Sequence, residues 1–327
     1  THLEPKPMTR PSGVAKQILT PMQVRESKAR HQAAGLGFNE CVTYSFIDQK
    51  SAELFGGGTD AVKLDNPISS EMSHMRPDLL PGLLAAATRN QARGFADLNL
   101  FECGPAFFGG EPGEQRRQIS GVRVGATGPK DVHGERRAVD LYDAKADAEA
   151  VLAAIGAPAK AQILRDTSPW FHPGRSGKIC LGPKKVLAEF GELHPKVLKE
   201  MGVKGTAVAF TVYLEEAPMP KTNKIARSAF FTNDLQAVER DFAFVVDKDV
   251  RALDVINAAG GADKSLIEDV RIFDEFIGGS LGEDKKSLAI TVRIQPVEGT
   301  LKEKDIEALS QKIIAKVEKS TGGVLRG

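Results

Sequence analysis

The chain has 327 residues, 41% of them apolar and 27% charged, which suits a globular protein and excludes a collagen, a disordered tail and a coiled-coil rod. That length exceeds what one hydrophobic core serves, so two domains are expected. Forty-four basic against 43 acidic residues leave a net charge of +1, so no bulk field marks a nucleic-acid partner.

Prolines at 5, 7, 11 and 21 mark residues 1–22 as an incoming linker, with Pro21 placed to open a helix. Val24, Ala29, Ala33 and Leu36 give that helix a loose apolar stripe, and Gly35 and Gly37 end it. Residues 41–47 are β-rich. The polar turn Asn66-Pro-Ile-Ser-Ser leads into a second helix over 79–90, with Ser69, Ser70 and Ser73 serving the loop and the helix cap. A mostly apolar strand over 98–108 follows, and 119–125 alternates as another strand. Asp143 is placed to cap a helix carrying Ala148, Val151, Leu152 and Ile155. Short strands then come at 162–165, 176–181, 186–190 and 207–214, with a short helix around 195–201. Hairpin-length turns outnumber long crossovers, so the sheet is expected to be antiparallel.

The texture changes between 215 and 228, where Ala217-Pro-Met-Pro lacks periodicity, and a domain boundary is expected there. The expected division is a linker over 1–22, a core domain over 23–222 and a second domain over 223–327. Beyond the boundary come a strand (242–246), a helix (250–259), two strands (267–277 and 287–294) joined by Gly278-Gly-Ser-Leu-Gly, and a long helix. Ile306, Leu309, Ile313 and Val317 form the buried stripe of that helix, and Thr300 with Glu303 reads as its capping box. A short edge strand closes the order strand, helix, strand, strand, helix, strand, the split βαβ of ferredoxin-like folds. The fold class is therefore α+β.

Several chemistries lack their residues. There is no phosphate-cradling glycine loop before a helix, no His-Glu-x-x-His and no Gly-x-Ser-x-Gly elbow. The six histidines never pair at metal-ligand spacing, so no metal site is expected. Cys41, Cys103 and Cys180 are too scattered for a disulfide framework and read as buried thiols. The most apolar runs, 180–187 and 207–214, are strand-length, whereas a membrane helix needs roughly 20 apolar residues. No membrane partner and a cytoplasmic location are expected.

Two constellations concentrate polar groups. One is Asn66-Pro-Ile-Ser-Ser-Glu-Met-Ser-His-Met-Arg-Pro-Asp-Leu-Leu-Pro-Gly-Leu-Leu. The other is His172-Pro-Gly-Arg-Ser, read as a tight turn presenting an imidazole and a guanidinium before a strand. In the last domain, Phe273-Asp-Glu-Phe276 ends a strand of a sheet type that binds single-stranded RNA through aromatics and polar side chains. From Lys221 onward 17 basic and 18 acidic residues give −1, so any RNA contact there is local.

These segments resemble the C-terminal portion of the beta subunit of bacterial phenylalanyl-tRNA synthetase. The resemblance runs through Gly37-Phe-Asn-Glu-Cys-Val-Thr-Tyr-Ser-Phe, the Asn66 run, Arg89-Asn-Gln-Ala-Arg-Gly, Leu100-Phe-Glu-Cys-Gly, His172-Pro-Gly-Arg-Ser and Gly191-Glu-Leu-His-Pro. The last domain is similar to the ferredoxin-fold anticodon-binding module in Arg240-Asp-Phe-Ala-Phe-Val-Val, Ile272-Phe-Asp-Glu-Phe, Lys286-Ser-Leu-Ala-Ile and Leu325-Arg-Gly.

The resemblance implies a class II synthetase-like antiparallel sheet domain without catalytic residues, followed by a domain that binds the anticodon of phenylalanine tRNA. The strand Phe101-Glu-Cys-Gly-Pro-Ala-Phe agrees, since it carries no arginine to hold an ATP phosphate. The segment itself would bind no cofactor. ATP and magnesium would belong to the alpha subunit, in an assembly of two alpha and two beta chains. Asp274 and Phe276 take the family's acid and aromatic anticodon-binding positions, with Phe276 standing where a tyrosine is usual. His172 and Arg175 would contact either tRNA or the alpha chain, and the resemblance does not fix which. The alternative is a free-standing class II-like paralogue acting as an RNA- or protein-binding module. A third reading, an independent enzyme with histidine-based chemistry, would require ATP-dependent turnover by the chain alone.

Overall fold

A computed structural model describes residues 18–134, 136–159, 161–219, 232–297 and 299–326, together with Gly13 and Ala229. Residues 1–12 and 14–17 of the expected linker, and 220–228 of the expected boundary, lie outside the described residues. The chain separates into two units, Thr1–Asn223 and Lys224–Gly327.

The first unit opens with α1 (Pro21–Gly35), for a local reason. The Gln23 N–H donates to Thr20 Oγ1 at 3.2 Å and the Thr20 N–H donates to Gln23 Oε1 at 2.8 Å, a reciprocal cap ahead of Pro21. Its buried ridge is Arg25, Ala29 and Ala33, so a charge stands where the sequence stripe suggested Val24. The Arg25 guanidinium donates to the carbonyls of Leu214, Ala217 and Pro218 at 2.6, 2.7 and 3.0 Å. Burial pulls its pKa down, and those three oxygens supply the solvation that water would otherwise give.

The β-rich run after α1 is not a continuous strand. Only β1 (Asn39–Glu40) and β2 (Phe46–Ile47) pair, because the chain leaves the sheet edge after the Cys41 N–H bonds the Phe101 carbonyl at 2.7 Å. Then come α2 (Gln49–Leu54), β3 (His74–Met75), α3 (Leu80–Gln91), β4 (Leu98–Phe107), β5 (Gln115–Val124) and α4 (Leu141–Ala154). They are followed by β6 (Gln162–Leu164), β7 (Phe171–Leu181), β8 (Lys185–Leu193), α5 (Pro195–Met201) and β9 (Ala207–Tyr213). Asp140, not Asp143, caps α4. Its carboxylate accepts from the N–H groups of Tyr142 and Asp143, while Asp143 reaches back to the Asp140 N–H and binds Arg137.

The seven-stranded sheet runs β1-β4-β5-β9-β8-β7-β6, with β1 parallel to β4 and every other pairing antiparallel. One face packs Phe101, Ile119, Phe190 and Phe210 against α1 and α4. The other packs Leu100, Val122 and Ala209 against Leu80, Leu83 and Leu84 of α3. Two cysteines lie in this core. Burial raises the thiol pKa of both Cys103 and Cys180, that of Cys103 to about 12, and Cys41 is half-buried.

The second unit consists of β10 (Val238–Asp247), α6 (Ala252–Gly260), β11 (Ile267–Ile277), β12 (Lys285–Ile294), α7 (Glu303–Thr321) and β13 (Val324–Leu325). Its antiparallel sheet runs β11-β12-β10-β13, the expected ferredoxin-like order. Phe244, Val246, Ile290 and Val292 face Val255, Leu309, Ile313 and Val317 of the two helices, which cover one side of the sheet. The cap of α7 differs from the expected Thr300–Glu303 box. The helix starts at Glu303, and Asp305 accepts from the Lys302 N–H at 3.1 Å.

Arg25→Met removes donors from three carbonyls without removing much apolar volume. Losing partners for buried acceptors costs about 1–3 kcal/mol per group in unfavourable cases. A stability loss of roughly 2–4 kcal/mol is expected in urea unfolding followed by circular dichroism.

Candidate functional site

The free face of the second sheet is built by strand parity. Inward-facing Phe242, Phe244, Leu288 and Ile290 alternate with outward Ala243, Val245, Ser287 and Ala289. A bulge at Phe273 shifts the register of β11, after which Asp274 sits opposite Ala289 and Phe276 opposite Ser287. Both expected residues therefore stand on the side away from the helices. Phe276 is 44% exposed, and the Arg326 guanidinium lies 5.7 Å from its ring centroid. Among the described residues the exposed Asp274 carboxylate makes no hydrogen bond or ion pair. The floor beside them is low, because Ala243 pairs with Ala289 and Val245 with Ser287. An aromatic ring, a free carboxylate and a guanidinium thus share one shallow surface, with Ser287 buried beneath it at 4% exposure. An exposed aromatic ring is a group that can stack on a flat base, and a free carboxylate one that can accept hydrogen bonds from a base edge.

On the large sheet, the face that carries α3 turns polar beyond the helix. Glu102, Gln118, Ser120, Thr211, Tyr213 and Glu189 are each at most 6% exposed. The segment before α3 seals them. Arg76 Nη1 donates to Glu102 Oε1 at 2.7 Å and to Thr43 Oγ1 at 3.0 Å, and Arg76 Nε donates to the Pro105 carbonyl at 3.1 Å. Gly104 leaves the room: a Cβ there would stand 2.9 Å from Arg76 Nη2. Asp78 accepts from the Leu80 N–H at 2.9 Å and from Gln118 Nε2 at 2.8 Å; the N-cap of α3 is Leu79, and none of the three expected serines caps the helix. Glu189 accepts from Ser168 Oγ and from the Tyr213 hydroxyl. Burial pushes the Asp78 carboxyl up and holds the Tyr213 phenol well above its ordinary range.

This arrangement does not fit ATP. No arginine lies on β4, as expected. The sequence reading places a strand at 119–125 but does not weigh the arginines of this partner strand, β5, which carries Arg116, Arg117 and Arg123. Arg116 lies over the Tyr213 and Phe108 rings at 3.7 and 4.8 Å, Arg117 pairs with Glu26, and Arg123 is held by Asp147. The polar face is filled by the chain's own side chains. Among the described residues no three His, Cys, Asp or Glu groups come together as metal ligands.

His172-Pro-Gly-Arg-Ser forms part of β7, not a turn before it. Phe171 pairs with Leu193 and Ser176 with Gly191, so residues 172–175 bulge out between those pairs. Gly191, with φ +148°, permits this, because a Cβ would meet the Arg175 carbonyl at 2.6 Å. The bulge brings His172 beside His194, with ring centroids 6.4 Å apart and planes at 28°, and pairs Arg175 Nε with Glu192 Oε2 at 2.6 Å.

The profile described as "Phenylalanyl tRNA synthetase beta chain CLM domain" matches residues 7–214, and the "Ferredoxin-fold anticodon binding domain" matches 234–326. This chain belongs to the phenylalanyl-tRNA synthetase beta chain family. Curated relatives named phenylalanine–tRNA ligase beta subunit include those of Ruegeria pomeroyi, 72% identical over 328 residues, and Cereibacter sphaeroides, 63% identical over 332. Each covers 100% of this chain, which spans 41% of the relative's length. Among solved structures, the pyrrolysyl-tRNA synthetase of Desulfitobacterium hafniense aligns over 59% of this chain and 66% of its own, at 18% identity and a TM-score of 0.44.

Within this beta chain the structure brings Asp274 and Phe276 onto one face, and His172 and Arg175 into one bulge. Sequence reasoning did not single out Arg326 or His194. Strand parity after a bulge is invisible in sequence, but the Gly191-Glu-Leu-His-Pro run did mark His194.

Asp78 supplies a pH test. Its folded pKa lies above the unfolded value, so its ionisation in the unfolded chain destabilises the fold progressively as pH rises from the ordinary carboxylate range through that raised value. Asp78→Asn retains an acceptor for the Leu80 N–H, and an amide flip of Gln118 then presents its unpaired Oε1 as an acceptor. The expected result, in thermal melts between pH 4 and 8, is a flatter stability profile and no loss of melting temperature at pH 7.

Proposed function

We propose that this chain is the part of a phenylalanine–tRNA ligase beta subunit that reads the tRNA anticodon and docks the catalytic alpha subunit, while the chemistry stays on alpha. The observation that carries the reading is the placement of Asp274, whose carboxylate has no partner among the described residues, and of Phe276, 44% exposed, on the helix-free face of the anticodon-binding sheet. A carboxylate accepts two hydrogen bonds from the Watson–Crick edge of guanine, and the ring stacks on a neighbouring base. Phe276 supplies stacking without a hydroxyl contact. The enclosed polar face of the first unit supports a noncatalytic role for it. On this reading ATP, phenylalanine and magnesium bind the alpha subunit of a cytoplasmic assembly of two alpha and two beta chains. Among the described residues no helix is long and apolar enough to cross a membrane.

A docking surface for alpha is proposed where the chain leaves the sheet after β1. Val42 and Tyr44 are 94% and 73% exposed. With Phe46, Met72, Pro81 and Arg89 they line a groove of about 560 Å³. Exposed apolar side chains in such a cluster mark a protein contact.

Asp274→Ala and Phe276→Ala are each expected to weaken tRNA binding by the full ligase by about 1–3 kcal/mol, the worth of one stacked or edge-bonded base. Filter binding at fixed salt measures this, and unchanged affinity in both variants removes the anticodon assignment. Val42→Glu places a charge on the groove and is expected to weaken alpha–beta association at least about tenfold. Native mass spectrometry across a dilution series reads that loss.

A further inference from the structure

We infer that His172, His194, Arg175 and Lys196 form a second RNA contact, a site for a backbone phosphate on the first unit. The inference rests on the tRNA-binding reading above and adds a site far in sequence from the anticodon face.

The argument starts from the two imidazoles. His172 Nδ1 accepts the Gly174 N–H at 3.1 Å, and His194 Nδ1 accepts the Lys196 N–H at 3.1 Å. Each ring is thus engaged by the backbone two residues on, in the manner of an Asx turn. A neutral ring whose Nδ1 accepts must carry its proton on Nε2. Both Nε2–H groups are donors, and neither meets a protein acceptor among the described hydrogen bonds.

That tautomer disfavours a divalent metal, which needs a bare ring nitrogen, and it suits an anionic oxygen. The two rings are half-buried, loosely parallel and 6.4 Å apart between centroids. Arg175 is half-exposed, and Glu192 engages its Nε, leaving the terminal nitrogens to donate elsewhere. Lys196 stands exposed in the first turn of α5, beside its N-cap His194, with no acid partner among the described ion pairs. Counting Arg175 and Lys196 against Glu192, this corner carries one more positive charge than negative. The group is donor-rich, locally cationic and set on a bulged strand braced by Gly191. A phosphodiester oxygen, flanked by the next phosphate for Lys196, matches that inventory better than the single carboxylate of a protein partner.

The test uses the full-length beta chain assembled with alpha, and phenylalanine tRNA as probe. His172→Asn and His194→Asn keep a side-chain oxygen for the backbone N–H while removing the Nε2 donor, so the turns are preserved. The double variant is expected to bind tRNA about tenfold more weakly at 0.15 M salt. Lys196→Gln is expected to lower the slope of log affinity against log salt by about 0.7 to 0.9. Phe276→Ala serves as the comparison. If Phe276→Ala weakens binding while the histidine and lysine variants do not, this inference is overturned and the anticodon reading stands. Wild-type enzyme that fails to bind tRNA would overturn both. A histidine variant that melts normally but loses alpha in native mass spectrometry assigns the corner to a protein contact and also overturns the RNA site.

Discussion

Arg76 is the residue on which the first unit turns. A guanidinium with 3% side-chain exposure is tolerable only with its hydrogen bonds made, and here Glu102, Thr43 and the Pro105 carbonyl make them. Removing one partner from such a group leaves a buried charge uncompensated. The same contacts tie three runs together: the exit from β1, the segment before α3 and the inner strand β4. They also lead directly into α3, since Asp78 two residues on accepts its first backbone N–H. A single ionic network thus fixes the helix over the apolar half of the sheet and closes the polar half.

That closure explains much of the sequence texture. Arg76, Asp78, Glu102 and Gly104 look like chemistry when met in a line of text, because acids, arginines and glycines are what active sites use. In space they satisfy one another. A polar patch in the centre of a sheet costs free energy unless every member is bonded, and nearly every member here is. The two sheets therefore treat polarity in opposite ways. The large sheet buries its acids with partners, Glu102 with Arg76 and Glu189 with Ser168 and Tyr213, whereas the small sheet leaves Asp274 facing outward.

Element type and order were largely legible because the periodicities were strong. The stripe of Leu309, Ile313 and Val317 and the order of the last domain needed only pattern. What failed was local. Residues 41–45 have the composition of a strand but only isolated backbone bonds, Cys41 to Phe101 and Arg76 to Ser45, and a continuous ladder, not propensity, makes a strand. The caps of α4 and α7 moved by a few residues because several acids and hydroxyls compete for each helix start. His172 read as a turn residue because Pro-Gly signals a turn, and a bulge uses the same signal inside a strand. The partnership of His172 with His194 depends on the pairing of β7 with β8, which no spacing rule contains.

The cysteines carry a consequence for handling the protein chemically. A thiol reacts as its thiolate, and burial holds Cys103 and Cys180 in the protonated form while screening them from reagents. Cys41, half-buried, also has its pKa raised, by burial first and then by the nearby Glu102. No native thiol in the chain is therefore primed for alkylation or disulfide exchange. A cysteine introduced at an exposed position, on the anticodon face or in the histidine corner, would outpace all three toward a maleimide probe. Distances between the two proposed RNA contacts become measurable by paired labels without first stripping the natural cysteines from the core.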